Sequence, residues 1–423
     1  MRPSLFPPPS AIAMAVFLGC GGVARACFAA MQYKGVVAVL DSSGGVFGAG
    51  KKEKGEARRP AAYLKKGTLK ALVDWKKHGA QLKDFKDADV VVVAPLDKAY
   101  EMAYEYLCRG EMFSDGIGAQ ATLVDVTAAD TTDVLYRLTK GGSHTGSLNV
   151  VIANKKPVTA SMHMYENLVY RATDDFTVRE IRDGYFRHEA TVGAGTPILA
   201  TLRRMMCGGD RIKSIKGCMS GTLGFVCSGM DSNEEEFSSV VLTAKANGFT
   251  EPDPRDDLSG TDVQRKALIL ARLCGLSLEM SDVPVEPLYP PSMGPDKMTA
   301  EEFLGKPLKS LDADMKARVK EAADRGEVLR YVATVDVAAK TASVGLTSVP
   351  LDSPLGRLKG ADNLFVIESA VYSARPLVLQ GAGAGNEATA MGVVADLVEV
   401  GCLDFRLPQH DRDAAHHDDD DDM

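Results

Sequence analysis

The chain has 423 residues, a length that predicts two or three domains. Apolar residues make up 45% and charged residues 25%, an ordinary globular composition that excludes disordered, collagen-like and coiled-coil chains. No apolar run approaches the roughly 18 residues of a membrane span, so no membrane partner is expected. Seven acids and one arginine between Asp411 and Asp422 contribute −6 of the net charge of −8. The remaining chain is nearly neutral, which argues against nucleic acid as a partner.

The last twenty residues and the cysteines indicate the setting of the protein. Residues 404–423 are predicted to be an acidic, disordered tail. The eight cysteines show neither C-x-x-C spacing nor a zinc-binding pattern with histidine. Scattered cysteines in a long chain are typical of reduced, mostly buried residues, so a cytoplasmic protein is expected. An organelle stays open because the start of the chain is short and rich in proline.

The first thirty residues have two interpretations. An apolar run over 11–18 between Arg2 and small residues resembles a secretory signal. Alternatively, residues 12–18 form a buried strand, and the turn Gly19-Cys20-Gly21-Gly22-Val23-Ala24 leads into a helix. This order matches G-x-G-x-x-A, the dinucleotide fingerprint. The strand interpretation is favoured, because cleavage would remove the first strand of a unit that the following sequence requires.

The fingerprint assigns a role to each small residue. Gly19 permits the tight turn, Gly21 lets the backbone approach a pyrophosphate, and the helix N-terminus offers free N–H groups to the phosphate. A second strand over 35–40 ends in Asp41, where an acid would bind a ribose hydroxyl and favour NADH. Four nearby residues could instead bind the 2′-phosphate of NADPH: Ser42, Ser43, Lys51 and Lys52. The predicted cofactor is therefore NAD(P).

Short apolar runs continue along the first half of the chain. Residues 42–83 are predicted to be a surface excursion with one helix over 69–77, and buried strands are predicted at 89–94, 121–127 and 149–153. Short strands separated by helical stretches favour a mostly parallel sheet. Ligands bind at the carboxyl ends of such strands. Thr127 and Lys155 follow two of these ends and are therefore candidate site residues.

The expected fold class is α/β, with a Rossmann-type nucleotide-binding domain and a second α+β domain. The first domain is predicted over 11–157 and the second over 158–375. Residues 376–403 are predicted to complete the first domain, because a helix through Ala390 and Val400 could pack back on it.

Three polar blocks stand out in the second region. In the first, over 188–197, Thr196 is a plausible helix N-cap and Pro197 a first-turn proline. The second covers 219–222. The third, over 249–266, crowds five acids and three bases around a proline-rich turn. Such a charge run is either solvated surface or a site whose stiff turn places Glu251 and Asp257.

Asp262 and Lys266, in the third block, are four residues apart and should share a helix face.

The strings at 154–156, 189–195, 251–266 and 381–389 together resemble the homoserine dehydrogenase family. The resemblance covers roughly residues 11–403 and is closest to the dehydrogenase half of the bifunctional aspartokinase–homoserine dehydrogenases, without the kinase. It implies NAD(P)H-dependent, reversible reduction of L-aspartate 4-semialdehyde to L-homoserine, a step toward threonine, methionine and isoleucine. It also implies a homodimer. The alternative is a catalytically silent NAD(P)-binding protein.

The resemblance assigns roles by matching positions. Lys266 corresponds to the catalytic proton donor and Lys155 to a second lysine beside the reacting centre. Glu251 corresponds to the acid that holds the substrate ammonium group, with Asp257 and Asp262 nearby. Fingerprint and resemblance together give the candidate cofactor contacts, which are Gly19, Gly21, Gly22, Val23, Asp41, Thr127, Lys155 and Gly385.

A sodium site is also implied. Its ligands would be the Glu189 carboxylate and the backbone carbonyls of Val192, Ala194 and Thr196. The alternative is that Glu189 only caps the turn. The chain departs from the family pattern at Gly224, where relatives usually carry a polar residue, and over 47–120, which is longer.

Overall fold

The computed structural model describes residues 14–19, 21–31, 36–41, 44–48, 64, 66–77, 85, 90–93, 121–140, 149–171, 180–181, 186–231 and 235–402. Seven strands form one sheet in the order β4-β3-β2-β1-β5-β6-β9. These strands are β1 (Met14–Leu18), β2 (Val36–Asp41), β3 (Gly44–Gly48), β4 (Val90–Val93), β5 (Ala121–Asp125), β6 (Asn149–Ile152) and β9 (Phe186–Arg187). A separate two-stranded ribbon consists of β7 (Tyr170–Arg171) and β8 (Glu180–Ile181).

The strand β1 lies at the centre of this sheet. It pairs in parallel with β2 and β5, so that Leu18 lies opposite both Leu40 and Asp125. The described side chains of β1, from Ala15 to Leu18, are all buried, as expected for a parallel strand that is covered on both faces. Met14–Leu18 is therefore the strand that the fingerprint requires, and the prediction of a mostly parallel sheet is confirmed for β2, β1, β5, β6 and β9.

The predicted surface excursion over 42–83 is wrong in one part. Residues Gly44–Gly48 form β3, which pairs antiparallel with β2 on one side and β4 on the other. Three glycines in five residues lower the strand propensity of this segment, and its hydrogen-bonded pairing with β2 and β4 overrides that preference. The predicted helix is confirmed, although it begins at Lys66 instead of Leu69.

Among the described residues, six helices accompany the first sheet: α1 (Gly22–Ala30), α2 (Lys66–Lys77), α3 (Thr132–Lys140), α4 (Lys155–Thr159), α5 (Met162–Val169) and, from the far end of the chain, α15 (Asn386–Glu399). Helix α15 packs against α1. After it ends, the Val400 carbonyl accepts a hydrogen bond of 3.0 Å from Asn149 Nδ2 in β6. The expected return of this helix to the first sheet is confirmed.

A second sheet of five antiparallel strands has the order β12-β11-β10-β13-β14. Its strands are β10 (Ile212–Cys218), β11 (Glu327–Asp336), β12 (Thr341–Pro350), β13 (Asp362–Ser369) and β14 (Leu377–Ala382). The helices of this region are α6 (Ile198–Cys207), α7 (Gly221–Gly229), α8 (Phe237–Ala246), α9 (Pro254–Leu258), α10 (Thr261–Leu273), α11 (Ala300–Phe303), α12 (Lys306–Lys309), α13 (Asp312–Ala323) and α14 (Pro354–Arg357). Short 3₁₀ turns cover Glu189–Thr191, Met280–Asp282 and Pro291–Met293.

One buried cluster joins the two sheets. It contains Leu123 and Ile152 from the first sheet, Ile215 from the second, and Leu268 and Leu270 from α10. Helix α10 is buried nearly all round over residues 266–273, because it contacts both α4 and the strands β11 and β12. The α/β fold class with a second α+β region is confirmed. The domain limits at 157 and 375 stay a prediction, and two strands lie beyond them: β9 pairs with β6 in the first sheet, and β14 pairs with β13 in the second. In the part of the chain that the structure describes, no helix is long and apolar enough to span a membrane.

Candidate active site

The glycine turn leaves open space at the start of α1. Gly19 has φ +97°, and a Cβ there would lie 3.1 Å from Thr127 Cγ2, so both the conformation and the space favour glycine. Gly21 is the N-cap of α1 and provides no side-chain cap, and a Cβ on it would meet no atom within 4 Å. The N–H groups of this first turn are therefore available to an anion, as a pyrophosphate requires.

A second helix begins beside this turn. A Cβ on Gly22 would lie within 2.6 Å of the Asn386 side chain, the first residue of α15. The preceding Gly385 has φ +117° and is the N-cap of α15. Val23 packs on the buried cluster beneath. Four predicted cofactor contacts, Gly19, Gly21, Gly22 and Gly385, thus meet at two helix N-termini.

Some of the predicted nucleotide contacts lie outside the described residues. These are Ser42, Ser43, Lys51 and Lys52, and Cys20 of the glycine turn lies outside the described residues as well. Asp41 ends β2, but its side chain is not described.

A buried polar network joins the carboxyl ends of β5 and β6. The Asp125 carboxylate accepts hydrogen bonds from Thr127 N (3.0 Å) and Thr127 Oγ1 (2.8 Å), and from Asn154 Nδ2 (3.1 Å). Asn154 Oδ1 in turn accepts the Lys156 amide at 3.1 Å and so caps α4. Burial raises the pKa of Asp125, and these hydrogen bonds oppose the shift. The network fixes the positions of Thr127 and Lys155.

Asp262 lies between two lysines. Its Oδ2 is 2.8 Å from Lys266 Nζ and its Oδ1 is 3.3 Å from Lys155 Nζ. Lys266 is buried and also donates to the Met219 carbonyl at 2.6 Å. Burial tends to raise the pKa of Asp262, but the two ammonium groups prevail and hold it well below its usual range. The predicted common face of Asp262 and Lys266 is confirmed, and α10 and α4 bring Lys155 to the same place.

The acid-rich turn before α10 is folded onto the site. Thr222 Oγ1 donates to Asp257 Oδ1 at 3.0 Å, and the Glu251 amide donates to Asp257 Oδ2 at 2.8 Å. Burial raises the pKa of Asp257, and the negative charges of Glu251 and Asp262 act in the same direction. Asp257 therefore supports the backbone of Glu251, whose side chain is exposed. The block over 249–266 is an ordered turn leading into the lysine-bearing helix, in which Asp257 is partly buried while Glu251 and Asp256 face solvent.

The buried Arg255 side chain links the acid-rich turn to the segment over 293–298, and no sequence pattern identified this role. Arg255 forms a bidentate pair with Asp253 and donates to the carbonyls of Met293 and Met298. The proline-flanked charge run contained the only sequence signal for this pair. Asp125 and Asn154 were missed as well, although Asp125 is an acid that ends an apolar strand.

The Glu189 carboxylate is occupied by contacts within the chain. Oε1 accepts the Leu199 amide at 2.8 Å, and Oε2 accepts the Ala200 amide at 2.7 Å and lies 3.3 Å from the Arg203 guanidinium. Among the other expected sodium ligands, the Thr196 carbonyl accepts the Ile198 amide at 2.7 Å. Val192 is extended, and Ala194 has φ 55°. A guanidinium on the same oxygen does not fit a cation site, so this geometry favours the capping alternative.

The start of α6 and the glycine at position 224 differ from what the sequence patterns predict. Helix α6 begins at Ile198 and its N-cap position is Pro197, so the prediction of Thr196 as N-cap is wrong, and the Glu189 carboxylate caps the helix instead. At Gly224, a Cβ would lie 2.9 Å from the Gly360 carbonyl, which explains glycine where relatives usually carry a polar residue. Within the described residues, no cluster of three or more His, Cys, Asp or Glu side chains could hold a metal ion.

The parallel sheet with its glycine turn, and the lysines at its carboxyl edge, define a NAD(P)-dependent oxidoreductase. A sequence model of the homoserine dehydrogenase family matches residues 197–398. The chain is 39% identical to homoserine dehydrogenase of Paracoccidioides brasiliensis over 291 residues, which cover 66% of this chain and 74% of that protein. The chain belongs to the homoserine dehydrogenase family.

Two further comparisons bear on its extent and fold. The chain is 41% identical over 279 residues to the chloroplastic bifunctional aspartokinase/homoserine dehydrogenase 1 of Zea mays, covering 66% of this chain and only 29% of that protein. A hyperthermophilic archaeal homoserine dehydrogenase in complex with NADPH aligns with a TM-score of 0.61 at 21% identity, covering 92% of this chain and 97% of the archaeal one. The latter likeness supports the fold.

Proposed function

We propose that this chain catalyses the reversible, NAD(P)H-dependent reduction of L-aspartate 4-semialdehyde to L-homoserine. The observation that carries the proposal is the Lys266–Asp262–Lys155 arrangement, because it places two ammonium groups at the carboxyl edge of the sheet that bears the glycine turn. Ligands bind at that edge in open α/β sheets.

The residues divide the chemistry between them. A reduced nicotinamide nucleotide held at Gly19, Gly21 and Gly22 would supply a hydride to the aldehyde carbon, and the aldehyde oxygen would then require a proton. Lys266 donates this proton from Nζ and takes it back from the alcohol in the oxidative direction. The carboxylate of Asp262 holds Lys266 in place from the preceding turn of the same helix. The exposed Glu251 carboxylate binds the substrate ammonium group, and Asp257 holds its backbone.

Lys155 is the rival proton donor, and substitution separates the two lysines. Lys266→Ala should lower kcat by about 10²–10⁴, the contribution of a positioned general acid, while NADPH still binds. Lys155→Ala should lower kcat less. Unchanged turnover in Lys266→Ala, with a larger loss in Lys155→Ala, would assign the proton transfer to Lys155.

The direct test is the absorbance of reduced nicotinamide when the chain is mixed with L-homoserine and either NAD or NADP. The proposal predicts a rise that depends on both partners. The alternative, a silent NAD(P)-binding protein, predicts cofactor binding without any rise. The same assay decides between the two nucleotides, and we propose that the chain uses both.

We also propose a homodimer that pairs through the second region. Strand β14 lies at the edge of the five-stranded sheet, and Val371, Tyr372 and Val378 near it are exposed apolar residues. Light scattering of the purified chain tests this proposal. A cytoplasmic setting is consistent with the free cysteines of the described residues, which include Cys27, Cys207, Cys218, Cys227 and Cys274.

A further inference from the structure

The two helices that carry the site lysines contact each other at both ends. At the first turn of α10, Asp262 lies 3.3 Å from Lys155, which begins α4. At the last turn of α10, Arg272 reaches the other end of α4. Its Nη1 donates to the carbonyls of Val158 (3.0 Å) and Ala160 (2.7 Å). The carbonyls at a helix C-terminus carry partial negative charge, which a guanidinium complements.

Arg272 is fixed in its own position by further contacts. It is fully buried, and its Nε donates to the Leu278 carbonyl at 3.0 Å. Its Nη2 donates to Glu279 Oε2 at 3.0 Å, and Glu279 Oε1 accepts the Met162 amide that begins α5. The guanidinium is a rigid plane of N–H donors, so bonds to two separate segments, 158–160 and 278–279, determine its orientation.

The relative position of the two lysines depends on how α4 lies on α10. Helix α4 follows β6 of the first sheet, whereas α10 packs on β11 and β12 of the second. The pair between Lys155 and Asp262 is a single contact at one end of the two helices, and the Asp262 side chain is 48% exposed. Arg272, in contrast, is a buried residue of α10 that donates hydrogen bonds to the C-terminal end of α4.

We propose that Arg272 is a positioning residue that holds the helix of Lys155 against the helix of Lys266, and so sets the spacing of the two ammonium groups across Asp262. It touches neither lysine and acts only through their helices. The inference rests on the proposed function, since Lys155 and Lys266 are the groups it would position.

A double-mutant cycle tests this role. Single-turnover rates of homoserine oxidation are measured for the wild type, Arg272→Lys, Lys155→Arg and the double variant. A lysine at 272 keeps the charge but cannot reach Leu278 and both carbonyls of α4 at once. We expect Arg272→Lys to lower the rate at least tenfold with Lys155 present and less than twofold in Lys155→Arg, because two residues of one unit are not additive. The Kd for NADPH, from fluorescence, should change less than twofold.

The matched control is Arg330→Lys. Arg330 is as buried as Arg272 but donates to Asp231 and to the carbonyls of Leu355 and Gly356. The Arg330→Lys substitution measures the effect of shortening a buried arginine. It should change the rate by the same factor in the chain with Lys155 and in the Lys155→Arg variant. If Arg272→Lys does not fold, Glu279→Gln takes its place, since Glu279 is half exposed and anchors the same guanidinium.

The outcomes are distinct. An Arg272→Lys loss that is equal in both backgrounds, or no loss at all, overturns the positioning role while the wild type stays active. A wild type that oxidises no homoserine refutes the proposed function, and this inference with it.

Discussion

The Glu189→Gln substitution is expected to destabilise the chain substantially. Glu189 is 4% exposed, and its two oxygens accept the Leu199 and Ala200 amides at 2.8 and 2.7 Å. Glutamine retains one acceptor oxygen and turns an NH₂ group toward an N–H donor or the Arg203 guanidinium. One buried donor then loses its partner, which costs ~1–3 kcal/mol. Loss of the negative charge at the start of α6 costs ~0.3–1 kcal/mol more.

Urea unfolding followed by circular dichroism measures this loss. Glu399→Gln is the matched control, since that carboxylate also contacts Arg203, at 3.7 Å, but is 43% exposed. The control should lose less than about 1 kcal/mol. Equal effects of the two substitutions would refute the capping role of Glu189.

The same samples test the sodium alternative. A cation that binds only the folded chain raises its stability in proportion to the logarithm of cation concentration. We expect the urea midpoint to be the same in sodium chloride and in tetramethylammonium chloride of equal concentration. A sodium-dependent rise that disappears in Glu189→Gln would contradict the capping role and establish the cation site.

Two further predictions concern buried polar groups. Asn154→Ala removes the cap of α4 and one donor to Asp125, so we expect the free energy of unfolding in urea to fall by about 1–3 kcal/mol. We also expect kcat to fall while NADPH binding is unchanged. An unchanged kcat would show that the network does not position Lys155. Burial raises the pKa of Asp396 to about 8, and the charge of Glu189 adds to this shift, so the folded chain retains a proton there that the unfolded chain loses above about pH 4. Stability contributed by that proton is present at acid pH and is lost as pH rises toward 8. Asp396→Asn should therefore gain stability relative to the wild type between pH 5 and 8, and a pH-independent difference would contradict this expectation.

Local patterns predicted much of this molecule. The apolar run of β1, the glycine turn and the polar ends of β5 and β6 each follow from a few consecutive residues, and the i,i+4 spacing placed Asp262 beside Lys266. The pattern alone could not place Lys155 beside Asp262, because that contact depends on how α4 packs on α10.

Other features depend on partners that are distant along the chain. Strand β3 is followed in the sheet by β4 (Val90–Val93), which lies far along the chain, and its glycines give no strand signal of their own. The cap of α6 comes from Glu189, which precedes the helix by a loop, so local rules selected Thr196 instead. No local pattern marks Arg272, since its acceptors belong to a segment more than a hundred residues earlier and to the turn that follows.

A crystal structure of the chain with NADP and L-homoserine would show which lysine meets the reacting oxygen. We expect the nicotinamide ring beyond the Gly19–Gly22 turn, with the homoserine hydroxyl within about 3 Å of Lys266 Nζ and the ammonium group at Glu251. A homoserine bound with its hydroxyl away from both Lys266 and Lys155 would contradict the proposed enzyme chemistry.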